Sequence, residues 1–272
     1  MKKKTITMKI HKISQSLLKA LFNYRNNNEC GIRIYERYVN NTEMETSDAM
    51  NMGNWFEYQC TKQLPRNGVM PEPERLKNGE LSAAYRKLDK QIARYHEIIE
   101  QYGINVLHTG YSFDSDEYGT GIADIIAEWN GKKCIIDIKT TSKIDDKWSE
   151  YGWGDEKFEY VDSPNTTTLT IQAVQYKLLA LSDFGDCDFY FFVFSVNEED
   201  SAKIFKVLVD DAMLEKHKEN IKQAHKYFNQ NFVNKTKPEL AVPELKRCQQ
   251  CVLKTNCPYA INIPLIKEIQ VY

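Results

Sequence analysis

EYGTGIADIIAEWNGKKCIIDIK, Glu117 to Lys139, alternates apolar and polar residues on both sides of Asn130-Gly131. Alternation of period two marks half-buried strands, and Asn-Gly between two such runs is the strongest short signal for a two-residue hairpin turn. The turn sets a register in which Trp129 faces Lys132, Ala127 faces Cys134 and Asp124 faces Asp137. Directly opposed side chains have Cβ atoms roughly 4.5–5.5 Å apart, so two carboxylates there repel unless a cation lies between them. Lys139 falls on the face of Asp137, with Ile122, Ile126 and Ile135; Ala123, Ile125, Ala127, Cys134, Ile136 and Ile138 form the other, apolar face. Cys134 is thereby assigned to the core. The bland alternative is a salt-bridged solvent face, since Asp-x-Lys alone is common by chance. The opposed aspartates weigh against it, although a bulge would break the register. Asp124 and Asp137, with the Ile138 carbonyl as a further oxygen, suit a hard cation such as magnesium or manganese, and Lys139 would sit beside a reacting phosphate and water.

Outward from the hairpin, Ile104 to Phe113 (INVLHTGYSF) predicts a strand before it. Leu81, Tyr85, Leu88, Ile92, Tyr95, Ile99 and Tyr102 repeat at three and four, a helix with one core-facing stripe. Ser14 to Tyr24 predicts a capped helix, and Gly53 to Cys60 lies in another. After Lys139 a long loop, Thr140 to Asn165, is functional or mobile by its length. A helix at Thr168–Leu181 follows, then strands at Asp188–Val196 and Lys203–Val209, and a polar helix from about Ala212 to Asn229.

With 272 residues and 42% hydrophobic content the chain supports one substantial core, so 1–272 reads as a single α/β domain, with about 72–103 as a helical insertion and 238–272 as a cysteine-rich segment. The 36 basic and 38 acidic residues give a net charge of -2, which excludes a global basic field; a polyanion would be met by local patches or bound cations. The run at Phe189–Val196 is too short to span a bilayer, and no apolar stretch follows Met1-Lys2-Lys3-Lys4, so no membrane segment and a cytoplasmic location are expected.

Two more motifs stand in order around the hairpin: Gly53-Asn54-Trp55-Phe56-Glu57, and Gln172-Ala173-Val174-Gln175-Tyr176, where an amide and a phenol share one helical face. Taken alone, each fits an ordinary helix surface. Together with Asp124 and Asp137-Ile138-Lys139, the set resembles the RecB-like branch of the PD-(D/E)XK nuclease superfamily. The resemblance implies a mixed central sheet flanked by helices. It also implies that Glu57, Asp124 and Asp137 bind one or two Mg2+ or Mn2+ ions, that Lys139 aids the attacking water, and that Gln172 and Tyr176 position the substrate or the site. Glu57 stands where many members carry histidine.

Cys248-x2-Cys251-x5-Cys257 is a metal-binding pattern that needs a fourth ligand, and Cys30, at the end of the first helix, is the choice over Cys60, Cys134 and Cys187. One cysteine before the core and three after it resembles the iron-sulfur staple of CRISPR-associated RecB-like and AddB-type exonucleases. That likeness implies a 4Fe-4S cluster joining the N- and C-terminal segments, in preference to zinc.

The expected activity is therefore a metal-dependent deoxyribonuclease, an exonuclease acting on single-stranded DNA or duplex ends in DNA processing, recombination or repair, with a recombination, helicase or integrase partner left open. The alternatives are an inactive iron-sulfur DNA-binding or assembly module and a zinc-stapled interaction protein. Lys132, Lys133, Lys143 and Lys147 are candidates to track a phosphate backbone, and Trp148, Tyr151 and Trp153 to stack on bases; a solvated loop with aromatic anchors is the equal alternative.

Overall fold

Asn130 and Gly131 both take positive φ, 52° and 73°, as the two-residue turn that matches strand twist requires. The strands leaving it pair as Trp129↔Lys132, Ala127↔Cys134 and on to Ile125↔Ile136, the register set by the turn. In the computed structural model the described residues are 12–26, 29–42, 46–65, 68–142, 144–148, 164–198, 201–235, 237–242, 244–249 and 251–261.

Along the chain come α1 (Gln15–Arg25), α2 (Gly31–Ile34, continued by a π-helical turn, Tyr35–Val39), α3 (Asp48–Thr61) and α4 (Ala83–Gln101). Strands β1 (Asn105–Ser115), β2 (Gly119–Trp129) and β3 (Lys132–Thr141) follow, then α5 (Ile144–Lys147) and α6 (Pro164–Ala180). The chain continues through β4 (Asp188–Ser195), β5 (Ala202–Val207), α7 (Asp211–Phe228), α8 (Leu245–Gln249) and α9 (Pro258–Ile261). These group into two compact units, one of Thr46–Asn220 and one drawn from both ends, Met1–Glu45 with Ile221–Tyr272.

The Thr46–Asn220 unit is built on a sheet of order β1-β2-β3-β4-β5. Neighbours are antiparallel except β3 and β4, which run parallel with Asp137 beside Phe191 and Lys139 beside Val193. A parallel pair needs a crossover connection, and α6 lies in it. β4 is covered on both faces, which explains its unbroken aromatic run. On one face Ile125, Ile136, Ile138, Phe192 and Phe194 pack with Trp55, Phe56, Leu88 and Tyr95 of α3 and α4. On the other, Ile126, Ile135, Phe189, Phe191 and Val193 pack with Ala173, Tyr176 and Leu179 of α6. Ser47 caps α3, its Oγ accepting from Met50 N at 3.3 Å.

Three expectations are corrected. Ala123 packs with the α6-side cluster and not with Ile125, so β2 changes faces at Asp124. The residue of β1 between the flanking pairs Thr109↔Ile125 and Tyr111↔Ala123 is Gly110, whose φ of 60° kinks that strand. Tyr102 ends the α4 stripe 49% exposed, beyond the last turn of the helix. Trp148, offered equally as a base-stacking residue and as a loop anchor, is 6% exposed and packs edge-on to Phe191 at 5.4 Å, so it is an anchor in the core and not a stacking residue.

In the unit formed from both chain ends, Ser14 Oγ caps α1 by accepting from Leu17 N at 3.2 Å. Phe232 stacks on Phe228 at 5.5 Å and meets Tyr24 edge-on at 5.2 Å. Glu36, buried, accepts from Asn40 and from Thr42 Oγ1 and pairs with Lys237.

Candidate active site and cysteine group

β3 carries Asp137 inward, 2% exposed. Gln172 Nε2, from α6, donates to its Oδ1, and Lys139 Nζ pairs with Oδ2. Lys139 also lies 5.9 Å from the Phe191 ring centroid, so both charged side chains are on the α6 side, as alternation along β3 requires. A solvent face does not bury its carboxylate in this way, and the bland reading of Asp-x-Lys falls. Asp124 reaches the same end of the hairpin from β2, its Oδ2 accepting from Ile138 N at 2.8 Å. Ile138, whose carbonyl the sequence singled out as a further oxygen, thus also serves the site through its N–H.

Glu57 lies in α3, and a Cβ on Gly53, one turn earlier, would find Thr140 Oγ1 nearest, at 3.7 Å. The start of α3 thus lies by the end of β3, which brings the Gly-x-x-x-Glu segment to the two aspartates. Burial, Asp137 and Glu57 together raise the Asp124 pKa well above the carboxylate range, against the pull of Lys139 and the Ile138 N–H. Burial raises Asp137 as well, opposed by Lys139. Burial draws the Lys139 ammonium down, but Asp137, Asp124 and Glu57 outweigh it and leave it above the ordinary lysine value. Carboxylates crowded together in this way gain from added positive charge.

The Gln-x-x-x-Tyr motif is buried, Gln172 9% and Tyr176 7% exposed, which sets aside the surface-helix alternative. Tyr176 Oη donates to Ile122 O at 2.8 Å, two residues before Asp124. Its ring lies against Gly121, where a Cβ would overlap it. Within the motif, Gln175, fully buried, donates from Nε2 to Tyr118 O at 2.7 Å. Its Oε1 lies 2.6 Å from Nε2 of His217, on α7. Burial pushes His217 down to about 4. Sequence reading missed Gln175 and His217: a buried amide has no periodic signature, and its partner lies 42 positions away.

The basic residues of the hairpin turn do not reach the aspartates. Lys132 opens β3 and pairs with Asp186 at 3.1 Å and Asp188 at 2.9 Å, and Lys133 lies over Phe184 at 5.4 Å. At about 3.3 Å per residue, Lys132 is roughly 20 Å from Lys139 along the strand, so neither lysine acts at the aspartates themselves. Lys143, Tyr151 and Trp153 lie outside the described residues, as does the Lys147 side chain.

Cys30, Cys248, Cys251 and Cys257 all belong to the unit formed from the chain ends, each half-buried. Cys30 is the N-cap of α2 and Cys248 lies in α8. Cys251 N donates to Cys248 O at 3.2 Å and Ala260 N to Cys257 O at 3.0 Å. Burial raises the Cys251 thiol pKa, and Cys30 and Cys248 lie near enough to add to the rise. Cys134, in contrast, is 1% exposed in the core and pushed up to about 12, mainly by burial.

Among the described residues no three histidine, cysteine, aspartate or glutamate side chains converge on one point. The donor types are those that suit the two groups expected from the sequence: carboxylate oxygens under mutual repulsion for a hard dication, and cysteine thiols, with the Glu29 carboxylate beside Cys30, for a thiophilic centre. No helix among the described residues is long and apolar enough to cross a membrane.

No family model matches the chain, and no curated protein does. A phage-related exonuclease from Haemophilus somnus 129PT aligns over 71% of this chain and 97% of its own, at 17% identity and a TM-score of 0.35. A candidate exonuclease from Eubacterium rectale aligns over 99% of this chain and 96% of its own, at 19% identity and a TM-score of 0.60; this chain has its fold.

Proposed function

We propose that this chain is a divalent-metal-dependent DNA nuclease, an exonuclease that hydrolyses phosphodiester bonds in DNA processing, recombination or repair. One observation carries the reading: Asp124 and Asp137 meet at the buried end of a hairpin, within electrostatic reach of Glu57 and beside Lys139. The name of the Eubacterium rectale protein that shares the fold agrees with it.

Glu57, Asp124 and Asp137 would hold magnesium or manganese, which supplies Lewis acidity and lowers the pKa of water. Gln172 keeps Asp137 oriented and the Ile138 N–H keeps Asp124 oriented, so neither carboxylate must reorganise as charge develops. Lys139, kept protonated by the surrounding carboxylates, can offset negative charge on the scissile phosphate and orient the attacking water. Cys30, Cys248, Cys251 and Cys257 are assigned to a 4Fe-4S cluster, for which thiolates are the normal ligands.

Linear and circular DNA, single- and double-stranded, would be digested with magnesium or manganese by anaerobically purified protein. Cleavage of linear but not circular substrates is expected. Asp137→Asn should abolish cleavage and diminish the thermal stabilisation that manganese gives the wild type. Lys139→Ala should lose cleavage while keeping that stabilisation. Normal metal-dependent cleavage by Asp137→Asn would remove the hairpin as the active site. Iron and sulfide should be lost in Cys30→Ala; zinc without iron in the wild type would end the cluster assignment.

A further inference from the structure

α6 holds the strand that delivers Asp124 at two carbonyls: Tyr176 Oη donates to Ile122 O at 2.8 Å, and Gln175 Nε2 donates to Tyr118 O at 2.7 Å. Gln172, on the same helix, holds Asp137. One helix therefore ties together the two strands whose carboxylates form the candidate site.

The Gln175 amide is the inner tie. Its Nε2 is engaged by a carbonyl, so the buried Oε1 must accept, and His217 Nε2, at 2.6 Å, is the donor in reach. That requirement fixes the tautomer with the proton on Nε2. An amide free to flip would turn its oxygen toward the Tyr118 carbonyl, two acceptors face to face, and the tie would break. His217 is 5% exposed. The neighbouring Lys218 lies over the Tyr118 ring at 5.7 Å, so α7 reaches the β1–β2 turn twice, once directly and once through Gln175.

We infer that His217 is a positioning residue: by fixing the orientation of the Gln175 amide, it holds α6 to the Tyr118–Asp124 segment and so sets the spacing of Asp124 from Asp137. Its relevance to catalysis rests on the nuclease reading; the positioning itself does not.

The test is amide hydrogen exchange on the full chain, wild type against His217→Phe and His217→Gln, with manganese affinity and steady-state cleavage measured on the same proteins. Glutamine can place an N–H near the site of the imidazole Nε2, and phenylalanine cannot. In His217→Phe, exchange should accelerate about tenfold or more in residues 118–126 and at the Ile138 amide, with α4 and β4 unchanged. Manganese affinity and kcat should fall by a similar factor while KM for DNA holds. His217→Gln should recover most of each.

Uniform acceleration across the unit would make His217 an ordinary stability residue and overturn the inference; so would wild-type exchange in His217→Phe. If His217→Phe does not fold, His217→Gln is compared with His217→Asn, whose shorter amide places its N–H elsewhere, and equal exchange in the two overturns it. Local acceleration in a protein whose wild type neither binds manganese nor cuts DNA would uphold the positioning and end the nuclease reading.

Discussion

α4 and α6 cover opposite faces of one sheet with different shares of apolar area and hydrogen bonding. α4 is a half-buried helix, with Tyr85, Leu88, Tyr95 and Ile98 in the core, one buried amide, Gln91, donating to Ser195 O and Glu198 O, and exposed residues between them. α6 is buried at every position from Gln172 to Ala180, yet four of those positions are Gln172, Gln175, Tyr176 and Lys177. Each has a named partner: Asp137, Tyr118 with His217, Ile122 and Asp186. An amphipathic helix places its contacts by area, which is non-directional. A helix submerged on all sides and pinned by hydrogen bonds is fixed in rotation and height, and the site lies on that side.

The contrast breaks first at Leu88. Leu88→Ala, in the fully buried stripe of α4, should cost about 2–5 kcal/mol in urea unfolding. Its added stability with manganese should match the wild type. A lost manganese increment would mean that α4 also sets the site geometry.

His217 offers a second measurement, through pH. Its pKa is lowered by burial to about 4 in the folded protein, whereas the unfolded chain takes up the proton near 6.5. The contribution is present above pH 6.5 and lost as pH falls toward 4, by at most about 3 kcal/mol. Between pH 7 and 4.5 the wild type should therefore lose more stability than His217→Gln. Parallel curves would show that the imidazole titrates alike in both states.

A smaller effect is expected at Gln172. Gln172→Leu leaves Asp137 Oδ1 without its donor, at a cost of about 1–3 kcal/mol. Unlike Leu88→Ala, it should also weaken manganese stabilisation. An unchanged manganese increment would separate Gln172 from the site.

Comparable is Gly121→Ala, whose new methyl would overlap the edge of the buried Tyr176 ring. About 1–3 kcal/mol is expected, since the ring is held by its burial as well as by its bond to Ile122 O. Tyr176→Phe, which keeps the ring and removes the bond to Ile122 O, should not relieve it, so the two losses should add; a smaller loss for Gly121→Ala in the Tyr176→Phe background would show that the bond, and not the ring, sets the overlap.

Legibility followed the same divide. Asn130-Gly131 announced the hairpin because its turn type demands positive φ at both residues, and the Asp137 side of the register came with it. The α4 stripe was legible because area burial leaves a period. Asp124 facing Asp137 was read from perfect alternation, which the kink at Gly110 interrupts, and a lone glycine in a strand does not say where the partner strand turns over. Gln172 and Tyr176 were legible only as a motif. Gln175 stood between them unread, because its meaning lies in a histidine that local pattern cannot connect to it. Trp148 looked like a loop aromatic until the neighbouring strands placed Phe191 and Phe205 against it.

The Gln175–His217 bond also constrains how the sequence can drift. Replacing Gln175 alone by an apolar residue leaves a buried imidazole N–H and the Tyr118 carbonyl without partners; replacing His217 alone leaves a buried amide oxygen without a donor. Either intermediate is handicapped, while an apolar pair of matching volume removes the imidazole N–H and the amide together and leaves only the Tyr118 carbonyl to find another partner. Descendants of this sequence should therefore change positions 175 and 217 together or not at all, and the two columns should covary across 42 residues of chain, while apolar α4 positions such as Leu88 exchange for neighbours of similar bulk one at a time.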